Sequence, residues 1–180
     1  MKSPLIILTG LPATGKSTIA AALAQSLGWP LLSKDAFKEP LMAALPGYAA
    51  GQSRALSDAS FEALFALLPA VLERATGVIL EGNFRGGEHE AALAPVCDAR
   101  PVLQLLCRVP ETVRSARVVA RAAAATRSAG HPLADQMRHS DTADRFLEVP
   151  STRIQLDGAA SLDENWIRIR SAAESAGFCV

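Results

Sequence analysis

An α/β fold with one parallel sheet, covered by helices on both faces, is the architecture this sequence predicts. Three observations carry it. Short, almost wholly apolar runs recur along the chain and alternate with longer segments of helical period, the pattern of strands buried on both faces. One such run, Leu5-Ile6-Ile7-Leu8, leads into Gly10-Leu11-Pro12-Ala13-Thr14-Gly15-Lys16-Ser17, a complete G-x-x-x-x-G-K-[ST] sequence, and then into helix-forming Thr18-Ile19-Ala20-Ala21-Ala22-Leu23-Ala24. That motif has structural meaning only between a strand and a helix, and both flanks are present. Finally, 180 residues, 49% of them hydrophobic, suffice for one compact domain with a substantial core.

The elements follow in order. The first strand covers about residues 4–9 and the first helix about 15–27, with Gly28 as a usual C-terminal stop. Pro30-Leu31-Leu32-Ser33 is a second short strand, and a helix runs from Lys34-Asp35 to about Leu45. Residues 46–52 are a loop. In the next helix Phe61, Leu64, Phe65, Leu68, Val71 and Leu72 share one face, and Ser57 or Asp58 suits its N-cap. Val78-Ile79-Leu80-Glu81 is strand three, and residues 102–107 are strand four. Pro110 opens a helix that carries Arg114, Arg117 and Arg121; another follows Gly130-His131-Pro132 and runs to about Phe146. Residues 153–157 form strand five and about 162–176 the last helix. With no repeat, linker or low-complexity tract, residues 1–180 read as a single domain, with a lid at about 114–135 as its one separate part.

The residue types of the loop match phosphate chemistry. Gly10 and Gly15 let the backbone turn and bring N–H groups close to phosphate oxygens. The helix that opens near Gly15 adds its positive dipole end. Lys16 is placed to reach the β and γ phosphates and Ser17 to hold magnesium, so residues Gly10, Leu11, Pro12, Ala13, Thr14, Gly15, Lys16, Ser17 and Thr18 are candidates for nucleotide binding.

In such a sheet, ligands sit beyond the carboxyl ends of the strands. There stand Asp35 after strand two, Glu81, Asn83 and Arg85 around the end of strand three, Arg108 after strand four, and Asp157 with Gly158 after strand five. Asp35 has two readings: the group that accepts the proton of an acceptor hydroxyl, or a helix cap. Glu81 suits a magnesium-bound water or a substrate hydroxyl, or else is a carboxylate tied up by backbone donors. Arg85 is a phosphate clamp or an exposed loop arginine. Arg114, Arg117 and Arg121 share a helix face at i, i+3, i+7, and Arg127 follows before Gly130. Like charges so placed favour a bound polyanion such as a nucleotide triphosphate, or else form a solvated face partnered by Glu111. His131 and His139 read as surface or capping residues, and Trp29 and Trp166 as packing residues.

Bulk composition excludes several classes. Lys plus Arg equals Asp plus Glu, for zero net charge, which argues against nucleic-acid or membrane-surface binding. Cys97, Cys107 and Cys179 form no C-x-x-C or zinc spacing and fit reduced thiols of a cytoplasmic protein. The N-terminus does not read as a signal peptide, and no stretch reads as a membrane span.

Together these positions resemble the small P-loop kinases of the nucleoside-monophosphate-kinase-like group, and more narrowly the branch with zeta toxins and chloramphenicol phosphotransferase. The likeness lies in Gly10 to Ser17, Leu32-Ser33-Lys34-Asp35, Ile79 to Arg85, and Arg108 to Arg117. It implies a three-layer P-loop NTPase fold with strand order 2-3-1-4-5 and a helical lid, ATP with Mg2+, and transfer to a hydroxyl. By the same resemblance Asp35 is the catalytic aspartate, and Arg117, Arg121 and Arg127 contact ATP phosphates. The reading is therefore an ATP-dependent small-molecule kinase with Lys16, Asp35, Arg117 and Arg121 catalytic, Ser17 on the metal, and Asp35, Glu81, Asn83 and Arg85 at the acceptor. A nucleotide-dependent switch and a nucleic-acid end kinase are its alternatives.

Overall fold

In the computed structural model, residues 2–45, 53–123 and 142–177 are described. Strands β1 (Leu5–Thr9), β2 (Leu31–Ser33), β3 (Val78–Glu81), β4 (Val102–Arg108) and β5 (Thr152–Asp157) form one sheet in the order β2-β3-β1-β4-β5. Every pairing is parallel, with Ile7 opposite both Leu80 and Gln104, and Leu105 opposite Ile154. The expected strand order is thus observed. All carboxyl ends lie on one edge.

Side chains of β1 alternate between two cores, as the period of a strand requires. Leu5 and Ile7 join Phe61, Leu64, Leu68 and Leu72 of α3 (Ser53–Leu72) and Leu93 and Cys97 of α4 (Glu90–Cys97). Ile6 and Leu8 join Ile19 and Leu23 of α1 (Lys16–Leu27) and Ile169 and Ala173 of the last helix, here α6 (Leu162–Ser175). Among the described residues the remaining helices are α2 (Lys34–Ala44) and α5 (Glu111–Ala123).

Four details differ from the sequence-based expectation. α3 begins at Ser53, so Ser57 and Asp58 lie inside it; Asp58 bonds Arg54 one turn back instead of capping. α3 is also long and apolar enough to cross a membrane by length and composition, although no such span was expected; the face carrying Phe61, Leu64, Leu68 and Leu72 is buried in the core. α4 was not anticipated; it holds Pro95 within it, and Gly86-Gly87 precede it. Residues 142–146 are turn, bend and irregular backbone and not the end of a helix; most of that expected helix, with Arg127, His131, His139 and much of the expected lid, lies outside the described residues.

Gln104, a polar residue amid the apolar ones of β4, is fully buried. Its amide donates to the Leu147 carbonyl (2.9 Å) and the Ser151 hydroxyl (2.7 Å), and its carbonyl accepts from the Leu147 N–H (2.9 Å). Leu147 and Val149 are thereby drawn into the core beside β1. Gln104→Leu strands the Leu147 N–H without its acceptor, so it should destabilise the protein by about 1–3 kcal/mol, seen as a lower urea midpoint at unchanged slope.

Candidate functional site

The loop Gly10–Ser17 bridges β1 and α1. Gly10 has φ 142°, and a Cβ there would lie 2.4 Å from the Cys107 carbonyl oxygen, so only glycine fits. Ala13 also sits in the left-handed region, at φ 67°, an unusual conformation for a residue with a side chain. Leu11, Ala13 and Thr14 are buried, Pro12 and Gly15 are half-buried, and Ser17 and Thr18 are exposed. α1 has no acidic residue in its first turn, which leaves its N-terminal dipole to an external anion.

Lys16 is buried and folds back over the loop, its Nζ 3.5 Å from the Leu11 carbonyl and 3.8 Å from Glu81 Oε1. Ser17 Oγ donates to the same Oε1 (3.2 Å), and Ser33 Oγ, from the end of β2, donates to Glu81 Oε2 (2.5 Å). The Glu81 carboxylate, only 2% exposed, is therefore held by two hydroxyls and an ammonium rather than by backbone donors. The register explains the meeting: Glu81 ends β3 with Leu8 on one side and Ser33 on the other. Ser33 was not singled out in the sequence; its place just before Lys34-Asp35, at a strand end, was the available signal.

These oxygens also test whether magnesium fits. Ser17 Oγ and the Glu81 carboxylate are hard donors at one point beside the phosphate loop, which suits an ion that keeps waters and takes ligands from substrate phosphates. Among the described residues no cluster of three His, Cys, Asp or Glu side chains forms a protein-only cage.

Ser33 is the N-cap of α2, so Asp35, the second residue of that helix, does not cap it. Asp35 pairs with Lys34 at 2.6 Å, and the Lys34 side chain is nearly dry. Asn83 is half-buried in the segment that leaves β3.

The arginines separate. Arg114 is 1% exposed and grips Glu111 with Nε and Nη2 (2.7 and 2.8 Å). Arg117, one turn on, turns to the loop: its Nη1 donates to the carbonyls of Gly158 (3.0 Å) and Ala13 (3.4 Å). Arg121 is half-buried a further turn along α5. Arg85 is neither exposed nor open. Its Nη2 meets Asp58 (2.6 Å) and its Nε meets Glu88 (2.7 Å), while Arg54 bonds both acids, closing a ring of four charges. Burial raises the Asp58 carboxyl, and the bonds from Arg85 and Arg54 more than reverse that, holding it below its ordinary value.

His89, also missed from sequence, completes this group. Its Nδ1 accepts from the Arg85 N–H (3.0 Å), and its ring packs on Phe61 with centroids 4.1 Å apart. Burial, then the Arg85 guanidinium, hold it down at about 4. The unfolded chain binds a proton there near pH 6.5 and the folded one near 4, so stability is complete above 6.5 and declines as pH falls through that interval, by up to about 1.4 kcal/mol per pH unit. His89→Asn keeps an acceptor for Arg85 without a titrating ring. The gap in melting temperature between wild type and this variant should narrow, or reverse, as pH falls from 7 to 4.5.

A family model described as an AAA domain, AAA_33, matches residues 5–144. No curated protein matches the sequence. A candidate kinase from Chloroflexus aurantiacus superposes with a TM-score of 0.77 at 27% identity, over 94% of this chain and 98% of that one. The APS kinase of Mycobacterium tuberculosis, in complex with AMPPNP and APS, gives 0.62 at 18% identity over 96% and 98% of the two chains. An unliganded sugar kinase from Janibacter gives 0.61 at 19% over 97% and 95%. These likenesses match the five-stranded parallel architecture seen here. The chain has a kinase-like P-loop fold and belongs to the AAA_33 family of AAA domains.

Proposed function

We propose that this chain is an ATP-dependent kinase that moves the γ-phosphoryl group of ATP to a hydroxyl of a small-molecule acceptor. The observation that carries the reading is a continuous path of side chains, from Lys16 and Ser17 on the loop through Glu81 to Ser33 and so to the start of α2, where Asp35 stands. A carboxylate is thereby offered at the edge of the sheet where phosphates bind. Similar structures named for APS and sugar kinases support a small acceptor. On the segments 32–35 and 79–85 we place the chain nearest the zeta-toxin and chloramphenicol phosphotransferase branch.

In this reading, loop amides from Gly10 to Thr18 bind the β and γ phosphates and Lys16 spans them. Ser17 holds magnesium, with Glu81 beside it; the ion, when bound, draws charge from the phosphate oxygens. Arg117 and Arg121, with Arg127 from the lid at about 114–135, answer the charge that spreads over the moving group. Asp35 aligns the acceptor hydroxyl and takes its proton. Glu81, Asn83 and Arg85 line the acceptor side. Transfer through a loose transition state asks for placement and charge compensation more than for a strong base, and Asp35 beside Lys34 suits that demand.

The direct test is ADP release with ATP and magnesium across a panel of hydroxyl compounds. Release that rises with particular acceptors, and vanishes in Lys16→Ala with its fold intact, is the expected result. Slow release indifferent to every acceptor indicates a nucleotide switch, and label transfer only to 5′-hydroxyl oligonucleotides indicates an end kinase. Once an acceptor is found, Asp35→Asn should leave ATP affinity and melting temperature nearly unchanged while transfer falls by roughly 10²–10⁴-fold. Near-normal transfer by this variant would move the proton acceptor to Glu81.

A further inference from the structure

The back of the phosphate loop is held by residues outside its motif. At the end of β4 the Cys107 thiol donates to the Thr14 carbonyl (3.1 Å). Gly158, in the turn after β5, presses on the same group: a Cβ there would stand 1.7 Å from the Thr14 oxygen and 2.9 Å from Cys107 Sγ. Thr14 Oγ1 meanwhile donates to the Leu11 carbonyl (2.9 Å), which closes the loop on itself. Cys107 is fully buried, and burial pushes its thiol up to about 11, so it carries its proton at neutral pH and can donate it.

A trans peptide is planar, so the C=O of Thr14 and the N–H of Gly15 point in opposite directions. With the Thr14 oxygen fixed toward β4 and β5, the Gly15 N–H is turned away from Cys107 and Gly158, outward from the sheet end. The conformation is not one the segment adopts unaided, because Ala13, just before Thr14, is held at a positive φ that a residue with a side chain rarely takes. Backbone in such regions persists only where its surroundings over-determine it. Without that support the loop relaxes, and part of the binding free energy goes into reshaping it.

We propose that Cys107 and Gly158 are positioning residues for the nucleotide: they lock the Thr14–Gly15 peptide so that its N–H is presented to phosphate oxygens before any ligand arrives. The inference rests on the nucleotide-binding reading above. It assigns a role in affinity to a thiol and a turn glycine that need never touch the ligand.

The test compares wild type, Cys107→Ser, Cys107→Ala and Gly158→Ala by calorimetric titration with ADP and magnesium. Melting without nucleotide and the ¹⁵N–¹H resonance of Gly15 are recorded alongside. Cys107→Ala should weaken ADP binding about 3–10-fold, the range for one lost hydrogen bond, and shift the Gly15 resonance. Cys107→Ser keeps a donor and should stay within about two-fold of wild type, with Gly15 near its original position. Gly158→Ala should weaken binding by more than about ten-fold. Equal affinity of Cys107→Ala and wild type, or equal weakness of the Ser and Ala variants, overturns the proposal; these two variants decide it even if Gly158→Ala fails to fold. Wild-type protein that does not bind ADP overturns the nucleotide reading itself, and this inference with it.

Discussion

One buried carboxylate organises the working edge of this molecule. Glu81 is almost completely removed from water, and a carboxylate in that position is tolerable only when its charge and lone pairs are met. Lys16 and Ser17 meet it from the loop and Ser33 from β2, so three neighbouring strand ends are tied to a single side chain. Taking Glu81 away would remove the carboxylate that faces the buried Lys16 ammonium. Asp35 stands two residues past Ser33, in the first turn of α2. Structural stability and the proposed chemistry thus rest on the same contact.

The arginines show how partner geometry, rather than residue type, sets a role. Arg114 and Arg117 are one turn apart on α5 and were equivalent as a sequence pattern. Arg114 is neutralised by Glu111 on its own helix and is sealed in. Arg117 bonds only carbonyls among the groups described, at Ala13 and Gly158, so its full positive charge stays beside the loop. Arg85 has gone the other way: two carboxylates and the Phe61 ring, 5.7 Å from its guanidinium carbon, occupy it. If Arg85 serves the acceptor, as proposed, it does so as part of a charge-balanced ring and not as a lone cation.

Residues 144–158 act as a brace. Gln104 draws residues 147–151 onto the sheet, Arg108 binds Asp144 by its side chain and its carbonyl, and Arg153 reaches the Leu147 carbonyl (2.8 Å). β5 then delivers Gly158 against the loop. Contacts far apart in sequence, such as Cys107 with Thr14, are the ones that give the phosphate loop its shape.

The features legible along the chain are those set by short-range physics. Apolar runs of strand length, helical spacing of Phe61, Leu64 and Leu68, and the Gly-Lys-Ser loop between a strand and a helix are local, and they sufficed for the sheet, the layers and the phosphate loop. Even the candidate positions at strand ends followed, because a parallel sheet gathers its carboxyl ends on one edge. The strand order entered only through family resemblance, since no local signal encodes which strands pair. α4 forms despite glycines before it and a proline within it because Leu93 and Cys97 pack into the core. Long-range packing sets the rest: Glu81 meets Ser33, Arg114 pairs with Glu111 while Arg117 does not, His89 lies among three phenylalanines, and Cys107 and Gly158 stand behind Thr14. Each of these depends on distances between residues remote along the chain, and such distances exist only once the whole sheet has closed.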